Sequence, residues 1–211
     1  MNSSVTQIIE RLRKGYPKLK VALNFRTSFE LLVATILSAQ CTDSRVNKVT
    51  ADLFKKYKTL KDFALADLKE LEQDIRSTGF YHNKAKSIIG AAKIIVENFR
   101  GIVPDTMPAL LTLPGVARKT ANVVLYSVFG KNGGIAVDTH VKRLAPRLGL
   151  SQNAIPEKIE QDLMKIVPQK NWGELSLLLI KHGREICIAR KPFCPKCVLN
   201  RICPSYRIFY P

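Results

Sequence analysis

The stretch after Ser28 constrains the fold most. Apolar residues fall there at Phe29, Leu32, Val33, Ile36 and Leu37, the spacing of one helical face. Leu31 and Ala34 add apolar character on other faces, so this helix is expected to be buried on most sides. Helical stretches are also expected over 43–57, 67–75, 83–99, 119–129, 139–148, 155–166 and 174–186. Ser28, Asp43 and Asp138 stand at or just before such starts and can cap them. Pro146 falls late in the 139–148 stretch, where it is expected to kink the helix or end it early. Alternating apolar and polar stretches bounded by hairpin turns are absent. The expected fold class is all-α.

Pro and Gly punctuate the connections, at Gly101 to Pro104, Leu113-Pro114-Gly115, Gly133-Gly134 and Val167-Pro168. Gly133-Gly134 is a candidate crossing point between two lobes. Lys and Arg outnumber Asp and Glu by 34 to 17, a formal charge of +17. A solvated surface needs no such imbalance, so a polyanionic partner is expected, with nucleic acid the first candidate. No apolar run approaches the roughly 18 residues that span a bilayer. No basic amphipathic tail or lipidation signal points to a membrane surface either. The first residues, Met1 to Thr6, lack the charged-then-apolar pattern of a signal peptide. The expected location is therefore the cytoplasm (with the nucleoid, in a bacterium), where cysteines serve as ligands or catalysts more often than in disulfides.

Four of the five cysteines cluster near the end, as Cys187-x6-Cys194-x2-Cys197-x5-Cys203. Thiolates this close in sequence can surround one metal centre with little loop-closure cost. Both zinc and an iron–sulfur cluster accept four thiolates. Zinc sites favour two short Cys pairs, and only Cys194 and Cys197 form one here, so the spacing leans toward a cluster. The remaining cysteine, Cys41, follows an apolar stretch and reads as a buried or half-buried thiol.

The segment Leu113-Pro114-Gly115-Val116-Ala117-Arg118-Lys119-Thr120-Ala121 ends one helical turn at Pro-Gly and starts another helix at once. Backbone amides at such a helix head bind phosphate without reading base sequence. This segment resembles the helix–hairpin–helix of the endonuclease III family of DNA glycosylases, Leu-Pro-Gly-Val-Gly-x-Lys. Downstream, Val137-Asp138-Thr139-His140 resembles the family's Val-Asp-Thr-His. Upstream, Leu37-Ser38-Ala39-Gln40-Cys41-Thr42-Asp43 and Gly79-Phe80-Tyr81-His82-Asn83-Lys84-Ala85 resemble its Leu-Ser-x-Gln-x-Thr-Asp and Gly-Leu/Phe-Tyr-x-x-Lys-Ala. The cysteine spacing resembles its cluster loop. The matches run in the family's order from about residue 37 to 203.

The resemblance implies two helical lobes. Residues 22–133 would carry the helix–hairpin–helix, and 1–21 with 134–211 would carry a [4Fe–4S] cluster on the 187–203 loop, held by Cys187, Cys194, Cys197 and Cys203. It implies a monomeric bifunctional glycosylase and abasic-site lyase of base excision repair, acting on oxidised pyrimidines or abasic sites in double-stranded DNA. A damaged nucleotide must leave the stack before its base is cut. By resemblance, Gln40 fills the gap and Phe80 wedges the opposite strand. Without the resemblance, Gln40 reads as a solvent-facing helix end and Phe80 as core. Lys119 matches the family's nucleophile, and Asp138 its carboxylate that stabilises positive charge on the sugar. Attack requires an uncharged amine. The first turn of a helix and the adjoining Arg118 both disfavour a cation there. Asp138 also reads as a helix cap, and so does Asp43. Gly115, Ala117 and His140 are candidate DNA contacts. The basic residues of the cluster loop, among them Arg190, Lys191, Lys196 and Arg201, are candidate phosphate contacts or a solvated surface.

Two alternatives remain. A monofunctional relative would use water and typically lacks the hairpin lysine, and a non-enzymatic DNA-binding module would need neither Lys119 nor Asp138. One departure stands out: Ala117 occupies the site of the pattern's second Gly. If that site is left-handed, Ala costs on the order of 1 kcal/mol.

Overall fold

The computed structural model describes residues 5–211 and contains no strand among them. Residues 1–4, the start of the expected second lobe, lie outside the described residues. In chain order the helices are α1 (Val5–Gly15), α2 (Ser28–Leu37), α3 (Asp43–Lys56), α4 (Leu60–Ala64), α5 (Leu68–Asp74) and α6 (Tyr81–Asn98). They continue with α7 (Met107–Leu111), α8 (Arg118–Phe129), α9 (Thr139–Arg147), α10 (Pro156–Ile166), α11 (Trp172–Glu185) and α12 (Tyr206–Phe209). Among the described residues no helix is long and apolar enough to cross a membrane.

The expected helices appear within a residue or two of their predicted bounds. Their caps differ in detail. Thr27 and Thr42, not Ser28 and Asp43, are the N-caps of α2 and α3, and their hydroxyls accept from the amides of Glu30 and Arg45. Ser28 and Asp43 are already helical, whereas a cap residue is extended, as Thr27 is at φ −125°. Asp138 caps α9 as expected. Helix α9 stops at Arg147, one residue short of the expected end, just past Pro146. Periodicity misses α1, α4, α7 and α12. Helices α4, α7 and α12 are too short to show a repeat, and the buried Ile8, Ile9 and Leu12 of α1 span little more than a turn.

The chain divides into two compact units, one of residues 21–131 and one joining residues before Val21 to Asn132–Pro211. In the first, α2 is buried from Phe29 to Leu37 and packs against α3, α6 and α8. Two polar residues are buried with it. The Glu30 carboxylate accepts from the Arg26 amide at 2.6 Å and the Arg26 guanidinium at 2.9 Å. The Thr35 hydroxyl donates to Leu31 O at 2.7 Å. These partners remove the penalty of burying unsatisfied polar groups.

The short α4 holds its shape through a reciprocal cap. Thr59 Oγ1 accepts from the Asp62 amide, and the Asp62 carboxylate accepts from the Thr59 amide at 2.8 Å. Its Phe63 ring then sits among Phe29, Phe54 and Tyr57, with centroids 5.3, 6.4 and 5.0 Å away. The second unit packs α1, α9, α10 and α11 around a core that includes Ile9, Leu144, Leu163 and Leu178. A bidentate Arg13–Glu174 pair, 2.8 and 2.7 Å, ties α1 to α11.

Phe63→Ala empties the centre of this aromatic cluster. It is expected to destabilise the protein by about 3–5 kcal/mol, read as a lower midpoint in urea unfolding with m unchanged.

Candidate functional site

Between α7 and α8 the chain turns at Gly115, whose φ is +74°. A Cβ added there would lie 2.7 Å from Ser87 Cβ and 2.9 Å from Ser87 Oγ. Conformation and space both therefore require glycine. Ala117 is different. It is the N-cap of α8 with φ −88° and ψ 170°, extended backbone that any residue adopts. The penalty anticipated for Ala117 therefore does not arise, because Gly115 alone takes the left-handed turn. Ala117 has no side-chain acceptor, so α8 begins without a side-chain cap. Its first turn has no acidic residue and presents exposed Arg118 and Lys119. First-turn amides and the positive helix end make this head a natural seat for an anion.

Gln40 follows the end of α2 with φ +53°, and Phe80 precedes α6 with φ +50°. Left-handed backbone costs a residue other than glycine about 1–3 kcal/mol. Gln40 is exposed, and Phe80 is 63% exposed. Phe80 is therefore not a core residue, the better reading of a phenylalanine without the resemblance. Gln40, Phe80, Asn83, Lys84, Ser87 and Gly115 line one pocket. The structure thus gathers three of the sequence candidates, Gln40, Phe80 and Gly115, on one unit. It adds Ser87, which nothing in the sequence marked, and Lys84, which was quoted only as part of a motif. Lys84 is 5% exposed and donates at 2.8 Å to both Leu37 O and Thr78 O. Burial pushes its ammonium below the usual lysine range. Cys41 is half-buried against the same core.

In the other unit, Asp138 Oδ1 accepts from the amides of His140 and Val141, both at 2.8 Å. Capping uses one oxygen and fixes the plane of the half-buried carboxylate. His140 Nδ1 lies 3.2 Å from Arg143 Nη2. Burial pushes the His140 imidazole below its usual range against the pull of Asp138, and Arg143 and Arg184 add to the burial effect. Gly183 permits this packing, since a Cβ there would lie 2.9 Å from His140 Cβ.

Cys187, Cys194, Cys197 and Cys203 line one cavity. Several N–H groups approach its sulfurs. Arg147 Nη1 donates to Cys187 Sγ at 3.4 Å, and the Leu199 amide donates to Cys197 Sγ at 3.3 Å. His182 Nε2 lies 3.3 Å from Cys197 Sγ, with Tyr16 Oη 2.9 Å from His182 Nδ1. Burial pushes His182 down to about 4, so its ring is neutral. Burial also pushes the Cys197 thiol up to about 11, and Cys194 and Cys203 upward. Four sulfurs around one cavity, with N–H donors on those of Cys187 and Cys197, fit a centre bound through thiolates, whose positive charge would replace the protons. Among the described residues no three His, Cys, Asp or Glu are grouped closely enough for a single metal ion.

A family model for "HhH-GPD superfamily base excision DNA repair protein" matches residues 33–169. The chain is 56% identical to endonuclease III of Synechocystis over 200 residues, 95% of this chain and 91% of that one. It is similar to a solved non-covalent endonuclease III–DNA complex, with TM-score 0.91, 42% identity and coverage of 99% of this chain and 97% of that one. It is equally similar to a trapped endonuclease III–DNA covalent intermediate, with TM-score 0.91, 42% identity and coverage of 99% and 98%.

The hairpin geometry separates two substitutions. Gly115→Ala is expected to destabilise the protein by about 1–3 kcal/mol in urea unfolding, through strain and the Ser87 contact. Ala117→Gly is expected to cost at most about 1 kcal/mol, the loss of backbone restriction alone.

Proposed function

The chain belongs to the HhH-GPD superfamily of base excision DNA repair proteins and, within it, to the bifunctional glycosylase/lyases of the endonuclease III family, and we propose that Lys119 is its nucleophile. The observation that carries this reading is the head of α8. An exposed lysine sits in the first turn of a helix whose amides have no side-chain cap, directly after the Gly115 turn. A DNA phosphate docked on those amides would bring a sugar within reach of the amine.

The reaction then needs few protein groups. Lys119 Nζ attacks C1′ of an everted nucleotide, the glycosidic bond breaks, and the base leaves with a proton. The sugar ring opens to a C1′ imine. That imine acidifies the C2′ proton, whose loss expels the 3′ phosphate and cuts the strand. Asp138 is the carboxylate proposed to stabilise positive charge on the sugar. Its cap bonds to His140 and Val141 keep it oriented. Gln40 and Phe80 are proposed to occupy the stack left open by the everted base, because both are exposed and line the same pocket beside the Gly115 turn. The amides around Gly115 and Ala117, and His140, are proposed DNA contacts.

The proposed substrate is double-stranded DNA bearing oxidised pyrimidines or abasic sites, bound by a single chain in the cytoplasm. Cys187, Cys194, Cys197 and Cys203 are the proposed ligands of a [4Fe–4S] cluster. They line one cavity, and only Cys194 and Cys197 form the short pair that zinc sites favour, which leans toward a cluster over zinc. Bound there, the cluster supplies the metal–thiolate bonds that tie down the 187–203 loop.

Borohydride trapping on duplex DNA containing an oxidised pyrimidine tests the chemistry. A covalent adduct is expected with the unaltered protein and none with Lys119→Gln. Asp138→Asn is expected to lower kcat by on the order of 100-fold while leaving folding intact. Base release without any adduct would show a water-using enzyme instead. The purified protein is expected to be brown with about four irons per chain, and Cys197→Ser to lose them. A colourless, zinc-loaded protein would refute the cluster.

A further inference from the structure

The chemistry proposed above makes no use of Lys84, a buried cation of the 21–131 unit. Its two acceptors belong to different elements. Leu37 is the last residue of α2, where a helix leaves its final carbonyls without internal partners and its dipole favours a cation. Thr78 ends the 3-10 turn of Arg76–Thr78, ahead of Gly79 and Phe80. Each carbonyl thus stands just upstream of an exposed residue with left-handed backbone. Gln40 follows Leu37 by one short turn, and Phe80 follows Thr78 across Gly79. Such conformations persist only where the surroundings over-determine them. An ammonium suits the task, since it carries three donors on a flexible stem and meets acceptors in two directions.

We propose that Lys84 is a positioning residue: by holding the Leu37 and Thr78 carbonyls to one ammonium, it fixes Gln40 and Phe80 relative to each other, so that they enter the opened DNA stack as a single preformed wedge. Without that latch the two loops must be ordered separately as they meet DNA, and eversion slows. The proposal rests on the reading that Gln40 and Phe80 fill the stack. It adds how their spacing is set.

Two reactions separate the latch from a general structural role. One is excision of an oxidised pyrimidine from duplex DNA. The other is borohydride trapping on a single-stranded abasic site, which uses Lys119 but everts no base from a duplex. Lys84→Met is expected to lower duplex kcat/KM on the order of 10- to 100-fold and leave single-strand trapping unchanged. Lys84→Arg, which keeps charge and donors, is expected to recover part of the loss. Parallel losses in both reactions, or full duplex activity in Lys84→Met, would overturn the proposal. Failure of both variants to melt cooperatively would also overturn it, since Lys84 would then serve folding alone. Gln40→Ala and Phe80→Ala distinguish the two levels of inference. If they leave the duplex-to-single-strand ratio unchanged, the stack-filling reading fails and the latch with it. If they lower the ratio and Lys84→Met does not, the latch alone fails.

Discussion

Burial of α2 along its whole length governs the 21–131 unit. From Phe29 to Leu37 no side chain of this helix reaches solvent freely, so its position is set by the helices around it. Its C-terminal end is fixed by the same packing, and Gln40 leaves that end within one turn. The Gly115 turn closes on the same region, where an added Cβ would fall 3.7 Å from Ile36. Core packing therefore sets the pocket that Gln40, Phe80 and Gly115 share. An exposed loop placed by so rigid an element can carry backbone strain that an isolated loop would relax.

The fold was legible wherever a helix was long enough to show a repeat. Helices α2, α3, α6 and α11 bury regular faces, and their bounds follow from periodicity. The five-residue α4 and α7 were not legible, because one turn has no period. Thr59, Asp62 and the rings around Phe63 decide α4 instead, and most of those partners are distant in sequence. Caps were legible in kind more than in place. Thr27 and Thr42 each stand one residue before the cap expected, since neighbouring capping residues compete and only backbone conformation chooses.

The candidate site was legible mainly as motif. Spacing alone left Phe80 looking like core and Gln40 like a solvent-facing helix end. What sequence could not show was φ. The left-handed angles at Gln40 and Phe80, and the extended one at Ala117, emerge only from the folded chain. The Ala117 result matters physically. The second glycine of the family pattern is not required by backbone conformation in this chain, because Ala117 is extended. Ser87 was invisible for a similar reason, because its closeness to Gly115 depends on how α6 lies beside the hairpin.

The second unit links its cysteine loop to its candidate carboxylate through one short helix. Helix α9 starts at the Asp138 cap and carries Arg143 and Arg147 farther along. Arg143 donates to Gly183 O at 2.8 Å and Cys187 O at 3.0 Å. Arg147 donates to Ile188 O at 2.9 Å, Ala189 O at 2.7 Å and Cys187 Sγ. Both guanidiniums thus satisfy carbonyls of residues 187–189, which lie outside any helix. A loop this short and basic buries little apolar surface, with Pro192 and Leu199 its buried residues. Its order draws on these arginines and on its own turn bonds, such as those from the Phe193 amide to Ile186 O and from the Cys203 amide to Leu199 O, both 2.9 Å. Because the arginines and the Asp138 cap share nine residues of one helix, a disordered cysteine loop would release the contacts that seat α9 at its C-terminal half. The cysteines can therefore matter to the carboxylate without any of them approaching it, through the seating of the helix that bears it.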